Sequence, residues 1–333
     1  MASKEEERRP IIGHEWAVEF LKSVLAKGRV AHAYLFVGPP QIGKRTLALH
    51  FAQALNCPNE ERPCEECSSC RRISRGLHPD VRVIEGEGGT IKIEQIRDMQ
   101  REVALSPFEG DHRVYIVPEI EQASLAALNC FLKTLEEPPP HVILLLTSTD
   151  LSLLPETVIS RCQVLPLRPL PPAQIEEALE EHWEMEAGRA RLLARLSEGR
   201  IGWAITAARE QAILQERRSR LGTYLEVMGR GRGEQLDYAY QLSQDPEVAK
   251  ENLKLWLSWW RDLLLLKGEL MERVVNVDQE AILRQQCQKY SLQEARDFLR
   301  AIQLTLKRLE QNVNARLALE VLLLDLPTPR GGT

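Results

Sequence analysis

Short apolar runs alternate with helix-period segments between about residues 30 and 170. Each run is four to six residues long and rich in Val, Ile or Leu, and each is bounded by polar or glycine-containing sequence. Continuous apolar runs of this kind are typical of parallel strands that are buried on both faces. The sequence therefore predicts four strands, at residues 33–37 (AYLFV), 81–84 (VRVI), 114–117 (VYIV) and 142–147 (VILLLT).

Two of the intervening segments show helical periodicity. The segment after residue 45 places Leu47, Phe51 and Leu55 on one face, and the segment before Pro138 does the same with Leu125, Leu128, Leu132 and Leu135. Spacings of three and four residues put side chains on one side of a helix. Strands that alternate with such helices predict a doubly wound, parallel α/β domain.

A proline-rich segment, LPLRPLPP at residues 165–172, interrupts this alternation. Proline fixes φ and lacks an N–H donor, so we expect a hinge that continues neither strand nor helix. Beyond it every periodic segment is helical. We predict an α/β domain at residues 1–168, a small helical lid at 169–210 and an all-α bundle at 211–333.

Three tryptophans lie close together in the most apolar predicted helix of the bundle, which ends near Gly268. Trp256, Trp259 and Trp260 share helical spacing with several leucines. Aromatic side chains can stack on bases, but such surfaces also carry Lys and Arg interleaved among the aromatic residues, and none lies between Trp256 and Trp260. The pattern favours bundle core over a nucleic-acid platform.

Composition and charge exclude several classes of protein. The 333 residues include 43 Lys and Arg and 48 Asp and Glu, for a net charge of −5, which argues against a chain-wide nucleic-acid binder. The start, MASKEEERRP, lacks the apolar region of a signal peptide, and no apolar run reaches the roughly 18 residues of a membrane span. We expect a soluble cytoplasmic protein with no membrane partner.

Four of the seven cysteines lie within fourteen residues, as Cys57-x6-Cys64-x2-Cys67-x2-Cys70. Two-residue gaps allow successive thiolates to face one tetrahedral ion at about 2.3 Å. No histidine or carboxylate occupies a ligand position, so no coordination position is left for water. The spacing predicts a zinc module at residues 57–70 that holds structural Zn²⁺; the alternative is a set of buried, reduced cysteines.

A degenerate phosphate-binding loop follows the first predicted strand. In GPPQIGKRT, Gly38, Gly43 and Lys44 occupy the expected positions, between a strand and a helix. The residue after the lysine should be Ser or Thr, which binds Mg²⁺, but it is Arg45, and Thr46 comes one position too late. An alternative is that the glycines only form a tight turn.

The second magnesium ligand of such a site is also missing. The strand at 114–117 should be followed by Asp-Glu, and here Pro118 and Glu119 follow it. Both losses affect the same ion. We expect very poor hydrolysis of ATP; the residues leave binding of ATP or ADP open.

Several segments together resemble the AAA+ clamp-loader subunits of bacteria. They are AHAYLFVGPPQIGK, the cysteine module, FLKTLEEPP, VILLLTSTDLSLLPETVISRC and NARLALEVLLL. Within that class they are similar to the delta-prime branch of DNA polymerase III more than to the gamma/tau branch. The resemblance is dense over residues 10–170 and continues mainly through the final helix.

The resemblance implies a five-subunit ring that uses ATP to open a sliding clamp and place it on primed DNA. Gamma/tau subunits supply the ATP sites, and a neighbouring arginine completes each one. The delta-prime branch hydrolyses no ATP but presents that arginine. The fold implied is an AAA+ domain with the inserted zinc module, a helical lid and a helical collar, and the implied partners are gamma/tau and delta subunits.

Three positions take their roles from the resemblance. Arg161, in the motif Ser160-Arg161-Cys162, would be the arginine finger, acting in trans on a neighbour's site. Ser148 falls at the sensor-1 position. Gly202 falls where active members carry the sensor-2 arginine, so that arginine is absent.

Two alternatives to a non-hydrolysing delta-prime subunit stay open at this point. One is an ATP-hydrolysing subunit of the gamma/tau type or a self-sufficient AAA+ ATPase, for which purified-chain turnover is the test. The other is a zinc-dependent DNA-binding scaffold, which would show strong, salt-sensitive duplex binding. Any polymerase (nucleotidyltransferase) activity would belong to the holoenzyme.

Overall fold

The computed structural model of the protein describes residues 11–311 and 313–328. The charged start at residues 1–10, on which the expectation of no signal peptide rests, lies outside the described residues, as does the C-terminal segment 329–333. The chain divides into two compact units. The first runs to Ala178 and includes Gly199–Trp203; the second comprises Leu179–Glu198 and the chain from Ala204 onward.

The first unit contains a five-stranded parallel sheet with strand order β2-β3-β4-β1-β5. Its strands are β1 (Ala33–Val37), β2 (Val81–Val83), β3 (Arg113–Val117), β4 (Val142–Ser148) and β5 (Gln163–Pro166). Its helices are α1 (Glu15–Ala26), α2 (Lys44–Asn56), α3 (Ser68–Ser74), α4 (Ile93–Val103), α5 (Leu125–Glu136) and α6 (Glu156–Ile159). The predicted parallel α/β fold and its four strands are confirmed.

Alternate residues of the central strands face two separate cores. Leu35, Tyr115 and Leu144 pack in one core with α4 and α5, whereas Phe36 and Ile143 pack in the other with α1 and α2. Both faces of the sheet are therefore covered, which explains why its strands are continuous apolar runs rather than alternating ones.

Two expectations about the first unit are wrong. The segment from residue 165 does not begin as a hinge, because β5 includes Leu165 and Pro166. Since β5 pairs only with β1, it is an edge strand, where proline's missing N–H costs no ladder bond. The predicted apolar face of α5 is wrong only at its first residue: Leu128 and Leu135 are buried and Leu132 packs against the same core. Leu125 is 72% exposed, and Phe131, which was not predicted, is buried.

The second unit is entirely helical in its described part. The helices after β5 are α7 (Pro172–Trp183), α8 (Ala187–Leu196), α9 (Ile201–Arg209), α10 (Gln211–Met228), α11 (Arg232–Leu242), α12 (Pro246–Lys267), α13 (Glu280–Lys289), α14 (Leu292–Glu310) and α15 (Ala315–Leu324). The boundary between the units falls within α7, and the start of α9 belongs to the first unit. The separate lid at 169–210 stays a prediction.

The three tryptophans of α12 are fully buried in the bundle core, as the leucine-rich pattern predicted. Trp256 stacks on Tyr224 with 4.2 Å between ring centroids, and Trp260 donates its indole N–H to the Tyr224 hydroxyl at 2.7 Å. A base-stacking role is therefore excluded. Among the described residues, no helix is both long and apolar enough to cross a membrane.

Asp80 holds the loop that joins α4 to β3. Its buried carboxylate accepts backbone N–H bonds from Phe108, Glu109 and Gly110 at 2.6, 2.9 and 2.9 Å. Burial alone would raise the pKa of Asp80, but these three donors outweigh it and hold the pKa below its ordinary value of 3.8. The ionised carboxylate therefore stabilises the fold.

Replacing Asp80 with alanine should destabilise the first unit, by roughly 1–3 kcal/mol for each donor that stays buried without a partner. For the wild type, the stabilisation should be complete above the ordinary pKa and decline as the pH falls through the lower folded value. Denaturant unfolding at several pH values measures both effects. Asp98→Ala, which removes an exposed carboxylate from α4, is the control; equal losses for the two variants would contradict this interpretation.

Candidate functional site

The four clustered cysteines converge where α2 ends and α3 begins. Cys57 follows the last residue of α2, Cys67 caps α3, and Cys70 lies in its first turn. All four sulfur atoms lie within 4.8 Å of one another. Four thiolates around Zn²⁺ at about 2.3 Å would be separated by about 3.8 Å along each tetrahedral edge. The donor set fits a single four-coordinate ion after only a small contraction.

Backbone donors support this cluster. The N–H of Cys67 donates to Sγ of Cys64, and the N–H of Cys70 donates to Sγ of Cys67, each at 3.3 Å. Donation from the Cys67 and Glu66 backbone lowers the pKa of Cys64 to about 7. N–H bonds of this kind favour thiolates, which are the form that binds metal. The cluster can hold a metal ion.

The glycines of the phosphate loop are required by its backbone. Gly43 precedes α2 with a φ of 107°, in the region that favours glycine. A Cβ on Gly38 would lie 2.4 Å from the carbonyl oxygen of Leu167. The strand–loop–helix arrangement predicted from the sequence is present.

Lys44 is turned back into its own loop. Its buried ammonium group donates to the carbonyl oxygens of Gly38 and Pro39 at 2.6 and 2.8 Å. Burial lowers the pKa of Lys44, and the charges of Glu121 and Glu119 partly oppose that change. The ammonium is thus compensated within the chain, by two carbonyls and two nearby carboxylates.

The position of the missing magnesium ligand is occupied by a side chain that points elsewhere. The Arg45 guanidinium lies 2.5 Å from a carboxylate oxygen of Glu85, and more than half of its side chain is exposed. Both residues line an open groove of about 780 Å³ beside β2. Thr46 follows in the first turn of α2 and is half-buried.

Polar residues at the carboxyl ends of β3 and β4 complete the site. The Glu119 N–H donates to the Thr147 hydroxyl at 3.0 Å, and the Glu121 carboxylate accepts from both the N–H and the hydroxyl of Thr149 at 2.8 and 2.7 Å. Glu121 was not predicted. Its proximity to Thr149 depends on the adjacency of β3 and β4, which leaves no local signal in the sequence.

Ser148 is fully buried at the end of β4. Its carbonyl accepts the Gly38 N–H at 3.1 Å, which places it beside the phosphate loop; its sensor-1 role stays a prediction. Its hydroxyl donates to the carbonyl of Asp150 at 3.0 Å. The hydroxyl is therefore satisfied within its own turn.

The start of α9 lies against the apex of the phosphate loop. Gly202 donates its N–H to the Gln41 carbonyl at 2.8 Å, and a Cβ at Gly202 would lie 2.7 Å from the same oxygen. The neighbouring Ile42 carbonyl lies 3.2 Å from Nε2 of His14. A sensor-2 arginine at position 202 could be accommodated only if the loop moved.

Arg161 lies between α6 and β5 and has partners of its own. One terminal nitrogen donates to the Glu136 carboxylate at 2.7 Å, and the other donates to the Thr157 carbonyl at 2.8 Å. Among the described residues, no hydrogen bond or ion pair joins Arg161 to the phosphate loop. The structure thus groups the loop residues with Ser148 and leaves Arg161 apart from them.

Glu136 was missed as a partner of Arg161. It lies within the FLKTLEEPP segment that carries part of the family resemblance, but nothing in the separation of 25 residues indicates the contact. The contact arises because α5 and α6 pack against each other.

Two family models match most of the chain. The model described as DNA polymerase III, delta subunit, matches residues 13–171, and the one described as DNA polymerase III, delta subunit, C terminal, matches residues 213–328. Among curated proteins, the chain is similar to DNA polymerase III subunit delta' of Bacillus subtilis. That match is 31% identical over 318 residues and covers 93% of this chain and 94% of the relative.

Other similarities cover less or are weaker. DNA polymerase III subunit tau of Escherichia coli is 38% identical over 210 residues, which cover 61% of this chain and 32% of tau. Solved structures with partial likeness include the RuvB Holliday junction branch migration motor of Thermotoga maritima (17% identity, TM-score 0.43, 62% of this chain and 65% of that chain). The DNA clamp loader delta protein of Bacillus subtilis is 15% identical with a TM-score of 0.35, and the match covers 93% of this chain and 99% of that chain. These two structural likenesses are too weak to carry an argument.

Proposed function

This chain belongs to the family of DNA polymerase III delta-prime subunits, and we propose that it acts in the clamp loader without hydrolysing ATP itself. It presents Arg161 to the ATP site of a neighbouring gamma/tau subunit while the complex places a sliding clamp on primed DNA. Polymerase activity belongs to the holoenzyme, not to this chain.

The observation that carries the proposal is the ion pair between Arg45 and Glu85. Position 45 is where a hydrolysing loop holds the Mg²⁺ ligand, and here a permanently charged guanidinium occupies it and points into a separate groove. Position 45 therefore offers a divalent metal no oxygen ligand. Without a bound metal the γ-phosphate keeps its full charge, so hydrolysis at this loop loses its main electrostatic support.

Two further contacts support a loop that does no chemistry. Lys44 is bonded to the loop's own carbonyls, and Gly202 fixes the loop apex through Gln41. Binding of ATP or ADP would have to displace the first of these contacts. Gly38, Gly43 and Thr46 then serve to shape the loop, and Ser148 supports it through Gly38.

Arg161 suits a role at a neighbour's site. Its side chain is about one-third exposed, and a guanidinium matches two phosphate oxygens in one plane. The Cys57, Cys64, Cys67 and Cys70 cluster holds structural Zn²⁺ in this proposal, because four thiolates leave no open position for catalysis.

The proposed partners are gamma/tau on one side and delta on the other, with the sliding clamp and primed DNA reached through the complex in the cytoplasm. The bundle at 211–333 serves as the collar. Its last helix leaves Leu317, Val321 and Leu324 half-exposed along one stripe, and their spacing of four and three residues fits a helix face that packs against another subunit.

Purified chain should show no ATP turnover above that of its Lys44→Ala variant, because Arg45 and Pro118 stand where the two magnesium ligands of a hydrolysing site would be. The measurement is phosphate release at saturating Mg·ATP, with thermal unfolding as a control for folding. Adding the wild-type chain to gamma/tau and delta should then restore clamp loading. Rapid turnover by the chain alone that Lys44→Ala abolishes would instead favour a gamma/tau-like ATPase.

A further inference from the structure

The proposed arginine finger is occupied by an anion of its own chain. An Arg side chain has five N–H donors in a planar fork. In Arg161 both terminal nitrogens are bonded, one to the carboxylate of Glu136 and the other to the carbonyl of Thr157. The carboxylate thus holds the edge of the guanidinium that would otherwise be free for a phosphate.

The location of Glu136 makes this carboxylate attractive to a cation. Glu136 is the last residue of α5, where the unpaired carbonyls of the helix end already carry partial negative charge. A negative side chain at that end is unfavourable by itself. A guanidinium placed there interacts favourably with both the carboxylate and the partial negative charge of the helix end.

The ion pair is nevertheless easily exchanged. The side chains of Glu136 and Arg161 are 50% and 34% exposed, and pairs with such access to water are held weakly. A triphosphate carries more charge and offers paired oxygens to the same fork. Carboxylate and triphosphate repel each other, so the guanidinium can pair fully with only one of them.

Resting on the proposed role of Arg161, we propose that Glu136 is a positioning residue that holds the finger until a neighbour's γ-phosphate displaces it. The carboxylate competes with the γ-phosphate for the guanidinium. In the unliganded complex it keeps Arg161 paired and oriented. Contact between Arg161 and the neighbour's nucleotide then requires a triphosphate, because a diphosphate does not extend to the finger.

Glu136→Gln tests the competition in the complex reconstituted with gamma/tau and delta subunits. The amide retains the size of the side chain and removes the competing charge. Binding of a non-hydrolysable ATP analogue at the site completed by Arg161 should tighten by about 1.4- to 5-fold, the range expected for an exposed pair. Binding of ADP should not change. That site is identified as the one weakened by Arg161→Ala.

Glu137→Gln is the matched control. Glu137 is the next residue, is also exposed, and its carboxylate makes no ion pair with any described residue, so the same change in charge should leave both affinities unaltered. If Glu136 had a purely structural role, Glu136→Gln would change the affinities for the ATP analogue and for ADP alike. Thermal unfolding of the free subunits confirms that all variants are folded.

The outcomes separate the two proposals. Unchanged or weaker analogue binding by Glu136→Gln, together with a strong effect of Arg161→Ala, would overturn the competition and leave the finger intact. If both Gln variants bound the ATP analogue more tightly to the same extent, the effect would come from the loss of one negative charge at either position. That result would also overturn the competition. No effect of Arg161→Ala on turnover or loading would instead remove the proposed function.

Discussion

Replacing Arg161 with alanine is expected to slow ATP turnover at the neighbouring gamma/tau site by about a thousand-fold or more, the range for an arginine finger supplied in trans. Clamp loading by the reconstituted complex should fall with it. The free subunit should hydrolyse no less ATP than before, because its own loop does no chemistry in the proposed mechanism.

Arg161 is expected to matter this much because negative charge develops on the neighbour's nucleotide in the transition state. As the γ-phosphoryl group transfers, negative charge spreads over oxygens that water would otherwise stabilise. A guanidinium held in place by the protein supplies that stabilisation with no reorganisation. Alanine removes the charge and the donors together, whereas Arg161→Lys keeps the charge without the planar fork, so it should recover only part of the rate.

Folding should be affected only slightly, since the variant loses one partly exposed ion pair worth about 0.2–1 kcal/mol and one hydrogen bond to the Thr157 carbonyl. Arg168→Ala is the matched control: this arginine lies seven residues further along and is exposed. Single-turnover hydrolysis and a clamp-loading assay measure the effect. If the two alanine variants behaved alike, Arg161 would not be the finger.

Loss of the zinc module should have the second-largest effect, this time on stability. Cys70→Ser keeps the size of a buried side chain but replaces a thiolate ligand with a hydroxyl. Structural zinc in small peptides contributes on the order of 10 kcal/mol of apparent binding energy. We expect zinc content to fall from one ion per chain to a small fraction and the segment 57–70 to lose its protection from proteolysis.

The loss should extend into α2, because Gln53 donates to the backbone carbonyl of Cys70 at 3.0 Å. Elemental analysis and the thermal midpoint, measured with and without a chelator, report both effects. Cys287→Ser, which changes a half-buried cysteine of the bundle, is the control and should keep its zinc. Full zinc content in Cys70→Ser, or none in the wild type, would contradict a four-thiolate zinc site.

Local patterns were sufficient for most of the first unit. Each of the four predicted strands is recovered within one residue, because a strand buried on both faces must be apolar at every position. The edge strand β5 was missed since its proline and its one-sided pairing weaken that pattern. The burial of Leu125 was predicted wrongly for a different reason. It is the first residue of α5, and such a residue can share the helical periodicity without facing the core.

The sequence by itself determined the parallel strands, the buried tryptophans, the convergence of four cysteines and the strand–loop–helix geometry of a phosphate loop. Each of these follows from residues that are close along the chain. The tertiary structure alone decided which groups meet across long separations: Arg161 with Glu136, Arg45 with Glu85, and Gly202 with Gln41. A polar contact between distant segments leaves no periodicity in either one, so only the packing of the elements that carry them can bring it about.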